Sequence, residues 1–147
     1  GKRYNLAPES VKLLIEAGAD VNAKSDDGST PLMVASGAWH PEVVTLLIEK
    51  GADVNAKDTA GKTSLMFAAG TQIITARFGS GGVWEAQADS ERKGARRIVD
   101  LLIDKGADVN SSDNDGRTPL DYVADNHWLK YDGDRIIRAL KAAGARE

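Results

Sequence analysis

Gly18-Ala19-Asp20-Val21-Asn22-Ala23-Lys24 returns as the same seven residues at Gly51 to Lys57, and as Gly-Ala-Asp-Val-Asn-Ser-Ser at Gly106 to Ser112. The first two copies begin 33 residues apart and the next two 55 apart, one period plus 22. A fixed period with one oversized interval is the mark of stacked repeats, each of which buries its apolar face only against a neighbour, with a segment inserted into one of them. Such a scaffold points to a binding role before any catalytic motif is sought.

Working outward from the heptapeptide, each copy follows an apolar stripe at helical spacing: Val11-Leu14-Ile15, Val44-Leu47-Ile48 and Val99-Leu102-Ile103. Each stripe ends at the glycine that opens the heptapeptide, the residue that most easily takes the left-handed conformation at a helix C-terminus. The Ala-Asp-Val-Asn segment reads as a short extended arm that turns at Asp27-Gly28, Ala60-Gly61 and Asp115-Gly116. After each turn stands Thr30-Pro31-Leu32, Thr63-Ser64-Leu65 or Thr118-Pro119-Leu120. Threonine caps orphan N–H groups there, and proline suits the first helical position. The spacing predicts short first helices over Pro31 to Ser36, Ser64 to Ala69 and Pro119 to about Asn126, with Ala35, Ala68, Ala69 and Ala124 small enough for close helix contact.

A unit of Asp-x-x-Gly-x-Thr-Pro-Leu followed by Val-x-x-Leu-Leu-x-x-Gly-Ala-Asp-Val-Asn, at a period of 33, closely resembles the ankyrin repeat. The resemblance implies an all-α repeat solenoid, a stack of helix-turn-helix units with hairpin loops, about three full repeats plus an N-terminal half repeat. Residues 1–147 are expected to form a single domain of this kind. The family usually carries histidine after Thr-Pro-Leu, where it ties adjacent repeats together. Here the residues are Met33, Met66 and Asp121, so these junctions are expected to rely more on packing. The last second helix is expected over Arg135 to Ala143, with Arg138, Lys141 and Ala139 giving the polar outer face that a terminal cap needs. At the other end Val11, Leu14 and Ile15 lack a first-helix partner, which suggests an array that begins further upstream.

The 22 extra residues fall between the two helices of one unit, at about 72–93, and a smaller insertion of 5 falls at about 127–131. Aromatic residues gather in these turns: Trp39, Phe78, Trp84, Trp128 and Tyr131, with His40 and His127. Stacking would align the turns into an aromatic edge, read either as a satellite core or as a second binding site. Trp39 stands where the family prefers glycine. The end of the insertion, Ala86 to Arg97, reads as a backward extension of the second helix that Gly94 would weaken.

Several weaker patterns fail on their chemistry. Gly79-Ser80-Gly81-Gly82 lacks the Gly-Lys-Ser/Thr ending of a phosphate loop, and Asp113-Asn114-Asp115-Gly116 lacks the closing glutamate of a calcium loop. Asn110-Ser111-Ser112 is formally a glycosylation sequon, but its asparagine is the repeated hairpin residue, expected to be held by its own side-chain hydrogen bonds. The resemblance also makes Asn22, Asn55 and Asn110 candidates for hydroxylation. His40 and His127 have no assured carboxylate partners, so no metal site or catalytic set is assigned, and no cofactor. With no cysteine, thiolate zinc and thiol nucleophiles are excluded.

A net charge of −3 over 147 residues argues against nucleic-acid and anionic-membrane partners. No apolar run reaches membrane-span length and no signal peptide is recognisable. A cytoplasmic monomer is expected, with secretion or a periplasmic location left open because the N-terminus could be trimmed. The leading expectation is therefore a non-enzymatic module that binds a protein or peptide through hairpin tips and first helices, at Lys24, Asp26, Ser29, Lys57, Thr59, Lys62, Ser112, Asn114 and Arg117. The alternative is a ligand-binding or enzyme-associated regulatory domain that uses the tryptophan-rich edge and the 72–93 insertion.

Overall fold

The computed structural model describes residues 8–70, 88–126 and 132–146. Among them are seven helices and no strand: α1 (Pro8–Glu16), α2 (Pro31–Gly37), α3 (Pro41–Glu49), α4 (Ser64–Gly70), α5 (Ala88–Asp104), α6 (Pro119–Asp125) and α7 (Gly133–Ala142). The short helices α2, α4 and α6 stack directly on one another as an inner layer. The longer α1, α3, α5 and α7 form an outer layer, and α3, α5 and α7 each pair with the inner helix before them. One continuous core runs between the layers, from Leu32 and Val44 through Leu65, Met66, Ile98 and Leu102 to Ile136 and Leu140.

Thr30 and Thr118 cap α2 and α6 as expected, each side-chain oxygen accepting the N–H of the residue three positions on. The outer helices end alike. The N–H groups of Gly51 and Ala52 reach back to Ile48 and Leu47, and Gly106 and Ala107 to Ile103 and Leu102. This closure needs a left-handed residue, and Gly51 and Gly106 sit at φ 94° and 87°. Gly144 closes α7 the same way, its N–H donating to Lys141 O, so the chain holds a fourth, degenerate copy of the heptapeptide start. The arms make no ladder, but each is folded by its own aspartate: Asp20, Asp53 and Asp108 accept the N–H of Asn22, Asn55 and Asn110.

The asparagines act elsewhere than expected, because their amides bond the next unit instead of their own arm. Asn22 donates to Gly51 O and accepts from Asp53 N–H, at 3.1 and 2.8 Å. Asn55 repeats this with Gly106 O and Asp108 N–H, and Asn110 with Gly144 O and Arg146 N–H.

The turn between α2 and α3 accounts for Trp39. Its N–H and that of His40 close α2 on Ser36 and Ala35, which places Trp39 at φ 55°, the one non-glycine residue with positive φ among those described. The strain, about 1–2 kcal/mol for such a residue, is offset where the indole N–H donates to Ala68 O of α4 at 3.0 Å. Helix α5 does extend backwards to Ala88, straight through Gly94. A β-carbon on Gly94 would stand 2.9 Å from the Trp39 carbonyl oxygen, so this glycine admits a close backbone approach. Residues 71–87, which hold most of the insertion expected at about 72–93, lie outside the described part, as do 127–131. The last outer helix starts at Gly133, two residues before the expected Arg135.

Leu14 departs from the expected pattern. It stands four residues before its glycine, as do Leu47, Leu102 and Leu140, which are at most 2% exposed, yet Leu14 is 63% exposed, and among the described residues no inner helix precedes α1.

Two stability measurements follow. Asn55→Ala should lower the unfolding free energy by about 1–2 kcal/mol, two bonds between units being lost; unchanged urea denaturation would mean that these exposed bonds merely exchange with water. Gly94→Ala raises helix propensity yet should destabilise by about 1–3 kcal/mol through overpacking, and a higher melting temperature would contradict the close approach.

Candidate functional site

The inner helices and arm tips line one side of the stack, and the tips are joined from unit to unit. Thr59 donates through both N–H and hydroxyl to Asp27 O, and Asn114 donates through N–H to Ala60 O and through its amide to Thr59 O. Gly28 and Gly61 permit this approach, since a β-carbon on either would strike the next tip's backbone or Asn114. Lys24 reaches the Lys57 carbonyl at 3.1 Å and Lys57 the Ser112 carbonyl at 2.8 Å, so the lysines form a ladder along the arms.

Of the nine tip residues expected to meet a partner, Lys24, Lys57, Thr59, Ser112 and Asn114 therefore hold the tips to one another, while remaining exposed. Asp26 is exposed at the first tip. Ser29 is half-buried, its N–H donating to Asp27 Oδ1. The Ser25 hydroxyl first, then the Ser29 N–H, hold Asp27 below the usual carboxylate range.

Lys62 and Arg117 are brought together by a residue that the sequence reading passed over. The Arg117 guanidinium lies 4.6 Å and the Lys62 ammonium 5.8 Å from the ring centre of Tyr122, a cation–π arrangement. Arg117 also pairs with Asp125. The buried Tyr122 hydroxyl donates to Asp113 Oδ2 at 2.6 Å, and Asp113 Oδ1 in turn accepts the N–H groups of Asp115 and Arg117. Burial opposes the charge on Asp113, but the Tyr122 hydroxyl and these N–H groups outweigh it and hold the carboxyl below its ordinary value. Burial, then the bond to Asp113, pushes the Tyr122 hydroxyl up to about 12. The signal was available in sequence: Tyr122 stands four residues after its threonine, as Phe67 does in the preceding unit.

On the opposite edge only Trp39 of the expected aromatic group is described, half-buried and bonded to Ala68 O. Phe78, Trp84, Trp128 and Tyr131 lie outside the described residues. Among the described residues no cluster of His, Asp or Glu could hold a metal ion, and no helix is long and apolar enough to cross a membrane.

Comparison with known families matches residues 3–77 to a profile described as "Ankyrin repeats (3 copies)". The chain belongs to the ankyrin-repeat family. A second ankyrin profile, "Ankyrin repeats (many copies)", matches residues 91–128, beyond the long interval. No curated protein matches the chain in a search of its full sequence. Ankyrin repeats are in general protein–protein interaction modules. Where ankyrin repeats usually carry histidine, two substitutes close back on the capping threonine. Met33 Sδ accepts the Thr30 N–H at 3.4 Å, and Asp121 Oδ2 accepts the Thr118 N–H and hydroxyl at 2.8 and 2.9 Å. These bonds, the N–H first, keep Asp121 below the ordinary carboxylate range. The ankyrin-type tie between units passes to Asn22, Asn55 and Asn110.

The Asp113–Tyr122 pair sets a pH window. Tyr122 contributes stability fully below its ordinary 10.0, and the contribution is lost as pH rises toward about 12. Asp113 contributes above the ordinary carboxylate value and loses its contribution as pH falls below it. Tyr122→Phe should cost about 1 kcal/mol at neutral pH, and the gap to the parent should close between pH 10 and 12 in urea titrations. A gap that stays constant across that range would exclude the pairing.

Proposed function

We propose that this ankyrin stack is a non-enzymatic module that binds a protein or peptide along its arm tips and inner helices. The observation that carries this reading is the linkage of the tips. Asp27 to Thr59, Ala60 to Asn114 and the lysine ladder fix the spacing of neighbouring units, so the side chains between them are ordered before a partner arrives. Preorganisation of this kind lowers the entropic cost of binding. Within the row, the buried Tyr122 ring backs Lys62 and Arg117 and so holds an arginine, a side-chain type that dominates interface energetics, in a fixed position. Exposed Asp26 on the first tip and Asp121 and Asp125 on α6 add negative charge to the same side, which suits a partner of mixed charge and not a polyanion.

The alternative, a site on the tryptophan-rich edge, draws no support from Trp39, whose indole N–H is already engaged by Ala68 O and whose backbone holds Gly94. A capture experiment from the native host separates the two faces. Proteins retained by the parent chain should be lost with Lys62→Glu/Arg117→Glu, and kept with Arg97→Glu/Lys105→Glu on the outer layer. The reverse pattern would place recognition on the outer helices.

A further inference from the structure

Helix α4 ends where the longest interval between units begins, and side chains of both neighbouring units meet there. The last carbonyls of a helix find no partner within it. At the end of α2 the chain meets them itself, the N–H groups of Ala38, Trp39 and His40 donating to the carbonyls of Val34, Ser36 and Ala35. At the end of α4 two side chains from outside the unit do so. The Trp39 indole N–H, from the unit before, donates to Ala68 O at 3.0 Å. The Asn126 amide, from the unit after, donates to Ala69 O at 3.1 Å. Both alanines are fully buried, so water takes over these bonds only if the helix end opens.

Trp39 also reaches the far side of the interval. Gly94 of α5 lies so close that a β-carbon on it would stand 2.9 Å from the Trp39 carbonyl oxygen and 3.6 Å from the Trp39 β-carbon. One residue of the preceding unit thus touches α4 through its indole and α5 through its main chain. Its backbone is unfavourable for a bulky residue, φ being 55°. Glycine would make the same turn without strain, but it has no side chain to reach Ala68. Strain that persists at such a position points to a task for the side chain.

We propose that Trp39 and Asn126 form a clamp on the stem of the long connection. From the two neighbouring units they fix the points at which the chain leaves α4 and rejoins α5. The register of the stack across this interval then depends on the clamp and not on residues 71–87. An occupant bound to those residues, or a cut within them, leaves the inner helices in place.

The test uses the whole chain with the recognition sequence of a site-specific protease in place of residues 75–81, cut after folding. The cut parent should run as one species in size exclusion, and amide exchange in α4 and α5 should stay within about twofold of the uncut chain. Trp39→Phe keeps a ring and removes the donor, while Asn126→Ala removes the amide. Each should speed exchange in α4 by about fivefold or more, the factor that one lost hydrogen bond carries. The factor should be the same before and after the cut, and larger than any change in α7. Separation of the fragments, or exchange in α4 that rises when the parent is cut, would mean that the connection itself holds the stem, and overturns the proposal. Variants that exchange like the parent, or that speed α4 and α7 alike, overturn it too. Should Trp39→Phe fail to fold, Asn126→Ala and the cut parent decide the matter.

Discussion

A side-chain amide that serves two backbone groups of the next unit is the contact on which this stack depends. Asn22, Asn55 and Asn110 each donate to a glycine carbonyl left without a helical partner and accept an N–H two residues later. The carbonyl lies one residue past the C-cap of the outer helix, so one side chain pins the left-handed turn that closes the helix and sets the step between units. Apolar burial supplies most of the cohesion, but it is not directional. The amide gives the stack its register from the arm side of each helix end, and the tip bonds and the lysine ladder hold the same spacing further out.

Much of this was legible in the heptapeptide, because its residues do the same local work in every copy. The glycine closes a helix, the aspartate folds the arm, the threonine caps the next helix, and none of these needs knowledge of distant residues. The partners of Asn22 lie 29 and 31 residues away. They are fixed by the superposition of units, so periodicity shows that the asparagine matters and not what it touches. Tyr122 escaped for a related reason. Its contacts arise only where Asp113, Arg117 and Lys62 converge on it from two arms. Gly94 was read through helix propensity, whereas a close approach to the Trp39 carbonyl decides its presence.

The long interval also has a physical reading. The repeat interval grows from 33 to 55 residues, but closure entropy rises only with the logarithm of loop length, and α5 resumes the register so completely that Ile98, Val99 and Leu102 are fully buried. The stack therefore accommodates a large excursion at one helix turn without disturbing the arms, whose spacing governs the proposed recognition face. Variation is carried on one edge and constancy on the other.

Helix α1 holds no buried residue, whereas α7 at the far end is anchored by Ile136 and Leu140 and latched through Asn110. In a chain of units that touch only their neighbours, opening proceeds from whichever end is held least. Among the described helices α1 is the one held least, so opening that begins there would pass to α3 before it reached the middle of the stack. Whatever holds α1 in place then governs how often the helices packed behind it open to a protease.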